Sequence, residues 1–116
     1  KLITMSIFSQ LFSANTKNAK VKILTRDTFN EAITSQKVHL IDVRTPNEFD
    51  AGHIKGAINL NFFDQPTFQK GIEKLNKNAA VYLYCQSGNR SKSASKFLVQ
   101  MGFEHVFDLQ GGYSNW

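Results

Sequence analysis

Apolar and polar positions along the chain change period several times, and each change marks an element. Val21-Lys22-Ile23-Leu24 alternates, which predicts a short strand. Thr25 is a good helix N-cap, and Phe29, Ala32 and Ile33 behind it form one apolar face. Residues 38–43, VHLIDV, are a nearly continuous apolar run rich in branched side chains. Such a run suits a strand buried on both faces, as in a parallel sheet. Thr45-Pro46-Asn47-Glu48 reads as a capping box with proline at the first helical position, so a short helix is expected before Gly52. Residues 57–60 predict another short strand, and Phe68, Ile72 and Leu75 mark a helix ending near Asn76. Residues 80–84, AVYLY, predict the next strand. Ala94, Phe97, Leu98 and Met101 then make a helical stripe that Gly102 ends. HVFDL, residues 105–109, predicts a last strand, and QGGYSNW is a turn into a final segment.

Strands and helices therefore alternate. This predicts an α/β domain with a mostly parallel sheet and right-handed crossovers. In such sheets ligands sit at the carboxyl ends of the strands. Cys85 falls at the carboxyl end of its strand, between that strand and the next helix.

Composition narrows the chemistry. The chain has 116 residues, 41% hydrophobic and 20% charged, which suits one domain with a packed core. One cysteine excludes an internal disulfide and a multi-cysteine zinc site, leaving a buried apolar cysteine or a reactive thiol. The formal charge of +5 comes from scattered lysines, with no nucleic-acid motif or dense basic run, so no nucleic-acid partner is expected. A positive surface would still attract small anions. No apolar segment is long enough to span a bilayer. Residues 1–20 read as an amphipathic arm, with Ile7, Phe8, Leu11 and Phe12 at helical spacing, followed by a polar linker; the domain proper is expected over residues 21–116. The same stretch faintly imitates an export signal, but Thr4, Ser6, Ser9 and Gln10 interrupt it. The expectation is a cytoplasmic protein, with export as the alternative.

The loop after residue 84 decides between the two cysteine readings. A free thiol has a pKa of about 8.5, and its thiolate needs stabilisation near neutral pH. The following helix aims its positive N-terminal end and unpaired N–H groups at the loop. Arg90 and Lys92 add charge, and Gly88 lets successive N–H groups turn inward as an anion nest. None of this serves a cysteine that only fills space, so a reactive thiolate is expected.

Cys85-Gln86-Ser87-Gly88-Asn89-Arg90 resembles the six-residue active-site loop of rhodanese-like sulfurtransferases. Residues 40–60, LIDVRTPNEFDAGHIKGAINL, resemble that family's Asp-Val-Arg…Glu-Phe…Gly-His-Ile…Gly-Ala…Asn signature, and LQGGYSNW its Gly-Gly…Trp ending. The resemblance implies an open five-stranded, mostly parallel sheet flanked by helices. It implies that Cys85 is the catalytic nucleophile and that Gln86, Ser87, Gly88, Asn89, Arg90 and Ser91 form the loop that holds a persulfide. It implies a small anionic sulfur donor such as thiosulfate, a thiol or cyanide acceptor or else a partner protein that takes the sulfur, and no metal or organic cofactor. Asp42 and Arg44 take on a structural, loop-bracing role under the same resemblance, and Asn59 is a further candidate brace. His53 reads as a turn residue, and Tyr84 and Trp116 as packing aromatics, with Trp116 a candidate for lining the pocket. Gln86 departs from family loops that place a basic residue directly after the cysteine, which puts efficient use of thiosulfate in question. Two rivals remain: a phosphatase or arsenate reductase of the same fold, whose Cys-x5-Arg loop is one residue longer, and a non-catalytic binding module, which usually lacks the cysteine.

Overall fold

The computed structural model describes residues 21–116. The arm and linker expected over residues 1–20 lie outside the described residues. The elements run β1 (Val21–Leu24), α1 (Arg26–Ser35), β2 (His39–Asp42), α2 (Pro46–Asp50), β3 (Ile58–Asn59), α3 (Gln65–Glu73), β4 (Val81–Tyr84), α4 (Asn89–Gln100), β5 (Val106–Leu109) and a final 3-10 turn (Gly112–Asn115). The five strands form one sheet in the order β1-β5-β4-β2-β3. Every pairing in it is parallel.

The hydrophobic pattern explains which strand goes where. All four residues of β4, Val81 to Tyr84, are buried, and this strand sits in the middle of the sheet. Strand β1 lies at one edge and leaves Ile23 64% exposed, while the opposite edge strand, β3, is only two residues long. Short edges limit pairing with other chains. One face of the sheet packs Ile41, Val43, Leu83 and Val106 against Phe68 and Ile72 of α3 and Ala94, Leu98 and Val99 of α4. The other face packs Leu40, Tyr82, Tyr84 and Leu109 against Phe29 of α1. Each large side chain so buried contributes about 1.5–3 kcal/mol.

Local signals set the helix starts. The Thr25 side chain accepts a hydrogen bond from Thr28 N–H at the head of α1. The expected capping box is present at α2: Glu48 N–H donates to the Thr45 hydroxyl and Thr45 N–H to the Glu48 carboxylate. Differences from expectation fall at element ends. Helix α3 stops at Glu73 rather than near Asn76, because the chain turns there through Leu75 N–H to Ile72 carbonyl and Ala79 N–H to Asn76 carbonyl bonds. Helix α4 begins at Asn89, five residues before Ala94, the first position of the apolar stripe, because Gly88 supplies the turn into it.

Candidate active site

Strands β2 and β4 are neighbours and parallel, so their carboxyl ends open side by side. The β2 end carries Asp42 and Arg44; the β4 end carries Cys85. The Cys85 side chain is 1% exposed and faces the α4 side of the sheet. Its Sγ accepts a hydrogen bond from Gly88 N–H at 3.0 Å. Gly88 reaches that position with φ of 116°, a left-handed conformation that side chains rarely adopt. As the N-cap of α4, Gly88 has no side chain to satisfy the first turn, and the first helix-closing bond runs from Lys92 N–H to its carbonyl. The N–H groups of Asn89, Arg90 and Ser91 therefore precede the helix bonding and form the positive end of its dipole beside the sulfur.

Three devices fix the loop. Beneath it, Arg44 is 2% exposed and grips the Asp42 carboxylate, with Nη2 2.7 Å and Nε 3.0 and 3.1 Å from its oxygens. Burial works against the Arg44 charge, but the hydrogen bonds and charge of Asp42 outweigh it and raise the guanidinium pKa. The same guanidinium donates to the Gly52 carbonyl at 2.7 Å and to the Gln86 Oε1 at 3.0 Å, and lies over the Tyr113 ring. Asn59 donates its amide to the carbonyls of Asp42 and Arg44 at 3.0 and 2.8 Å, tying β3 to this brace.

At the loop base, Tyr113 N–H donates to the Cys85 carbonyl at 2.8 Å and Ser114 N–H to the Gln86 carbonyl at 3.0 Å. Gly112 makes this approach possible, since a Cβ there would stand 2.5 Å from the Cys85 oxygen and 2.6 Å from the Gln86 oxygen. At the rim, Arg90 donates to both Glu48 carboxylate oxygens, at 2.7 and 3.0 Å. Those bonds hold the Glu48 carboxyl at about 2, overcoming the effect of burial, with Thr45 assisting.

The candidate residues thus separate into groups. Cys85, Gly88 and Ser91 meet at the sulfur: the thiol lies 3.5 Å from the Ser91 hydroxyl. Asp42, Arg44, Asn59 and Gln86 form the connected brace, while Ser87 and Asn89 are exposed. Arg90 is not a free cation, because Glu48 matches its charge. Lys92 lines a separate cleft beside β1. Trp116 packs edge-on to Phe29 under Arg26, away from the sulfur. His53 stacks on Phe49 at 3.6 Å and bonds its carbonyl. Tyr84 is fully buried, its oxygen accepting from Ile54 N–H, and burial raises its hydroxyl pKa. Sequence reasoning did not single out Glu48, Gly112 or Asp108. The capping-box position and the Gly-Gly pair were visible signals for the first two; an acidic residue inside the apolar run HVFDL was the signal for the third.

This geometry belongs to a known class. The sequence model of the rhodanese-like domain matches residues 25–116, and the chain belongs to that family. It is 36% identical over 96 residues to the uncharacterized protein YqhL of Bacillus subtilis, covering 83% of this chain and 72% of that one. It is 31% identical over 104 residues to the tRNA uridine(34) hydroxylase of Pelagibacter ubique, where 90% of this chain spans only 35% of the relative's length. A rhodanese-like domain protein from Staphylococcus aureus is similar in structure, with a TM-score of 0.71, 29% identity, and coverage of 82% of this chain and 90% of that one.

Proposed function

We propose that the chain is a sulfurtransferase that works through a persulfide on Cys85. The observation that carries this reading is the Cys85 Sγ, 3.0 Å from an inward-pointing Gly88 N–H at the uncapped head of α4. The helix end and the N–H groups lower the free energy of a sulfur anion there. The Cys85 thiolate attacks the outer sulfur of thiosulfate or a related persulfide. The donor's S–S bond breaks, and sulfite or a thiolate leaves with the bonding electrons. The terminal sulfur of Cys85-S-S⁻ is then held by loop N–H groups, as an oxyanion hole holds an oxygen. Cyanide, a thiol or a cysteine of a partner protein attacks that sulfur and releases the Cys85 thiolate, completing a two-step covalent cycle.

Arg90 argues against the phosphatase rival. A tetrahedral oxyanion needs a guanidinium turned toward it, and here both terminal nitrogens of Arg90 are given to Glu48. The spacer between Cys85 and Arg90 is also four residues, a cradle suited to one sulfur rather than a phosphate group. The test is side-by-side kinetics on thiosulfate with cyanide and on an aryl phosphate. The reading expects sulfur transfer, abolished in Cys85→Ser, and negligible phosphate hydrolysis. Efficient hydrolysis, or near-wild-type sulfur transfer by Cys85→Ser, contradicts it. Inserting a glycine between Gly88 and Asn89 should weaken sulfur transfer and let phosphate compete for the site.

A further inference from the structure

Edge strand β1 and helix α4 leave a cleft of about 350 Å³ between them, outside the Cys85 loop. Small-molecule sites occupy about 300–1,000 Å³, so this one has room for a compact ligand. Side chains alternate along a strand, so Val21 and Ile23 share one face of β1 and both line the cleft. Ile23 is 64% exposed there, a large apolar side chain with little to cover it. Val99 of α4 supplies the facing apolar wall. In register, Ile23 pairs with Asp108 of β5, which brings that acid into the same cleft.

The polar groups of the cleft are unmatched. Asp108 is 5% exposed, and its Oδ1 has no hydrogen-bond partner among the described residues. Folded proteins rarely leave such a group unpaired. Burial pushes its carboxyl up to about 6, so the charge it carries at neutral pH is a costly one. Lys92 and Lys96 line the same cleft, exposed and four residues apart on α4, which makes them neighbours on the helix surface. The ion pairs among the described residues are Arg26 with Asp27, Arg44 with Asp42 and Arg90 with Glu48, so neither lysine closes on Asp108. The cleft thus holds an acceptor in its floor and two cations on its rim, set apart from each other between apolar walls.

We propose that this cleft binds a small aliphatic zwitterion, its acidic group on Lys92 and Lys96, its ammonium on Asp108 and its stem along Val21, Ile23 and Val99. A simple anion would satisfy the lysines and leave Asp108 unpaired. A simple amine would reach Asp108 only against two positive charges. A molecule carrying both groups pairs every charge in the cleft, and each contact is a charge-assisted hydrogen bond. An aliphatic stem between the two groups matches the separation of Asp108 from the lysines, and it gains further by covering the exposed face of Ile23. None of these residues belongs to the Asp42–Arg44 brace or to the Cys85 loop, so the site is independent of sulfur transfer.

The test is titration calorimetry of the whole chain at pH 7.5 with three probes of one stem length: ε-aminocaproate, caproate and hexylamine. The zwitterion should bind in the millimolar range, as expected for so small a ligand. Caproate and hexylamine should each bind about tenfold more weakly, since each lacks one charge-assisted contact. Asp108→Asn keeps the shape of the side chain and removes its charge. It should weaken the zwitterion about tenfold and leave caproate unchanged. The double variant Lys92→Gln, Lys96→Gln changes only exposed positions and so keeps the fold. It should weaken both the zwitterion and caproate and should not weaken hexylamine. Amide NMR shifts on adding the zwitterion should fall at Val21, Ile23 and Val99. No binding of ε-aminocaproate, including a cleft already filled by other parts of the chain, overturns the proposal. So does binding that survives both sets of substitutions, or that moves amides elsewhere. Hexylamine or caproate binding as tightly as the zwitterion also overturns it, because one end of the cleft would then contribute nothing.

Discussion

The Glu48 carboxylate holds both terminal nitrogens of Arg90, at 2.7 and 3.0 Å, and so ties the head of α2 to the rim of the Cys85 loop. The Glu48 side chain is 32% exposed, so water weakens this pair. Its stability contribution is at most about 1 kcal/mol. Glu48→Gln should lose about that much at pH 7 and slow persulfide formation by freeing Arg90. The folded carboxyl is held at about 2, below its ordinary value of 4.5. The stabilisation is therefore present above about pH 4.5 and is lost as pH falls toward 2. Urea unfolding of both proteins across that range should show the difference shrinking on the acid side.

The two glycines of the site should fail for different reasons. A Cβ on Gly88 would meet nothing within 4 Å, so the cost of Gly88→Val lies in its φ of 116° and not in a clash. That strain is about 1–2 kcal/mol, and relieving it would turn the N–H away from Cys85. Persulfide formation should fall about a hundredfold, as when one oxyanion-hole donor is removed, with the domain still folded. Gly112→Ala meets two backbone carbonyl oxygens at 2.5 and 2.6 Å and should lose about 2 kcal/mol or more of stability. Melting curves alongside sulfur-loading rates separate the two outcomes.

Asp42 and Arg44 form a buried pair that is costly to break. Arg44→Met removes one charge and leaves the fully buried Asp42 carboxylate without its partner. The expected loss is about 3–5 kcal/mol, measured by denaturant unfolding. Gln86 would lose its anchor in the same variant.

The buried Asp108 carboxyl predicts a pH-dependent stability effect. Its folded carboxyl is raised from 3.8 to about 6, so it favours folding fully below about pH 4 and loses that advantage as pH rises through 6. Asp108→Asn should therefore be more stable than wild type at pH 7.5, by up to about 3 kcal/mol, and little different at pH 4. Thermal melts at the two pH values check the sign.

The parts of the fold that were legible in the sequence are those with local causes. VHLIDV and AVYLY announce central strands because both of their faces are buried, and the Thr45–Glu48 capping box shows α2 directly. Cys85 stood out because a strand, a glycine and a helix start surround it within a few residues. What stayed hidden depends on partners distant in sequence. Glu48 reads as a capping residue, and its second partner, Arg90, lies 42 residues on. Lys92 reads as a loop cation, but its place on α4 puts it beside β1. Asp108 reads as an ordinary strand residue until parallel pairing of β4 and β5 sets it behind the cysteine.

The central claim is that Cys85 carries sulfur, and intact-mass measurement after mixing with thiosulfate tests it most directly. The account predicts a gain of one sulfur atom, located on Cys85, absent in Cys85→Ser and removed by cyanide. If thiosulfate proves a poor donor, an organic persulfide should give the same product. A folded wild-type protein that gains no sulfur from either donor, or that gains it equally in Cys85→Ser, contradicts the account.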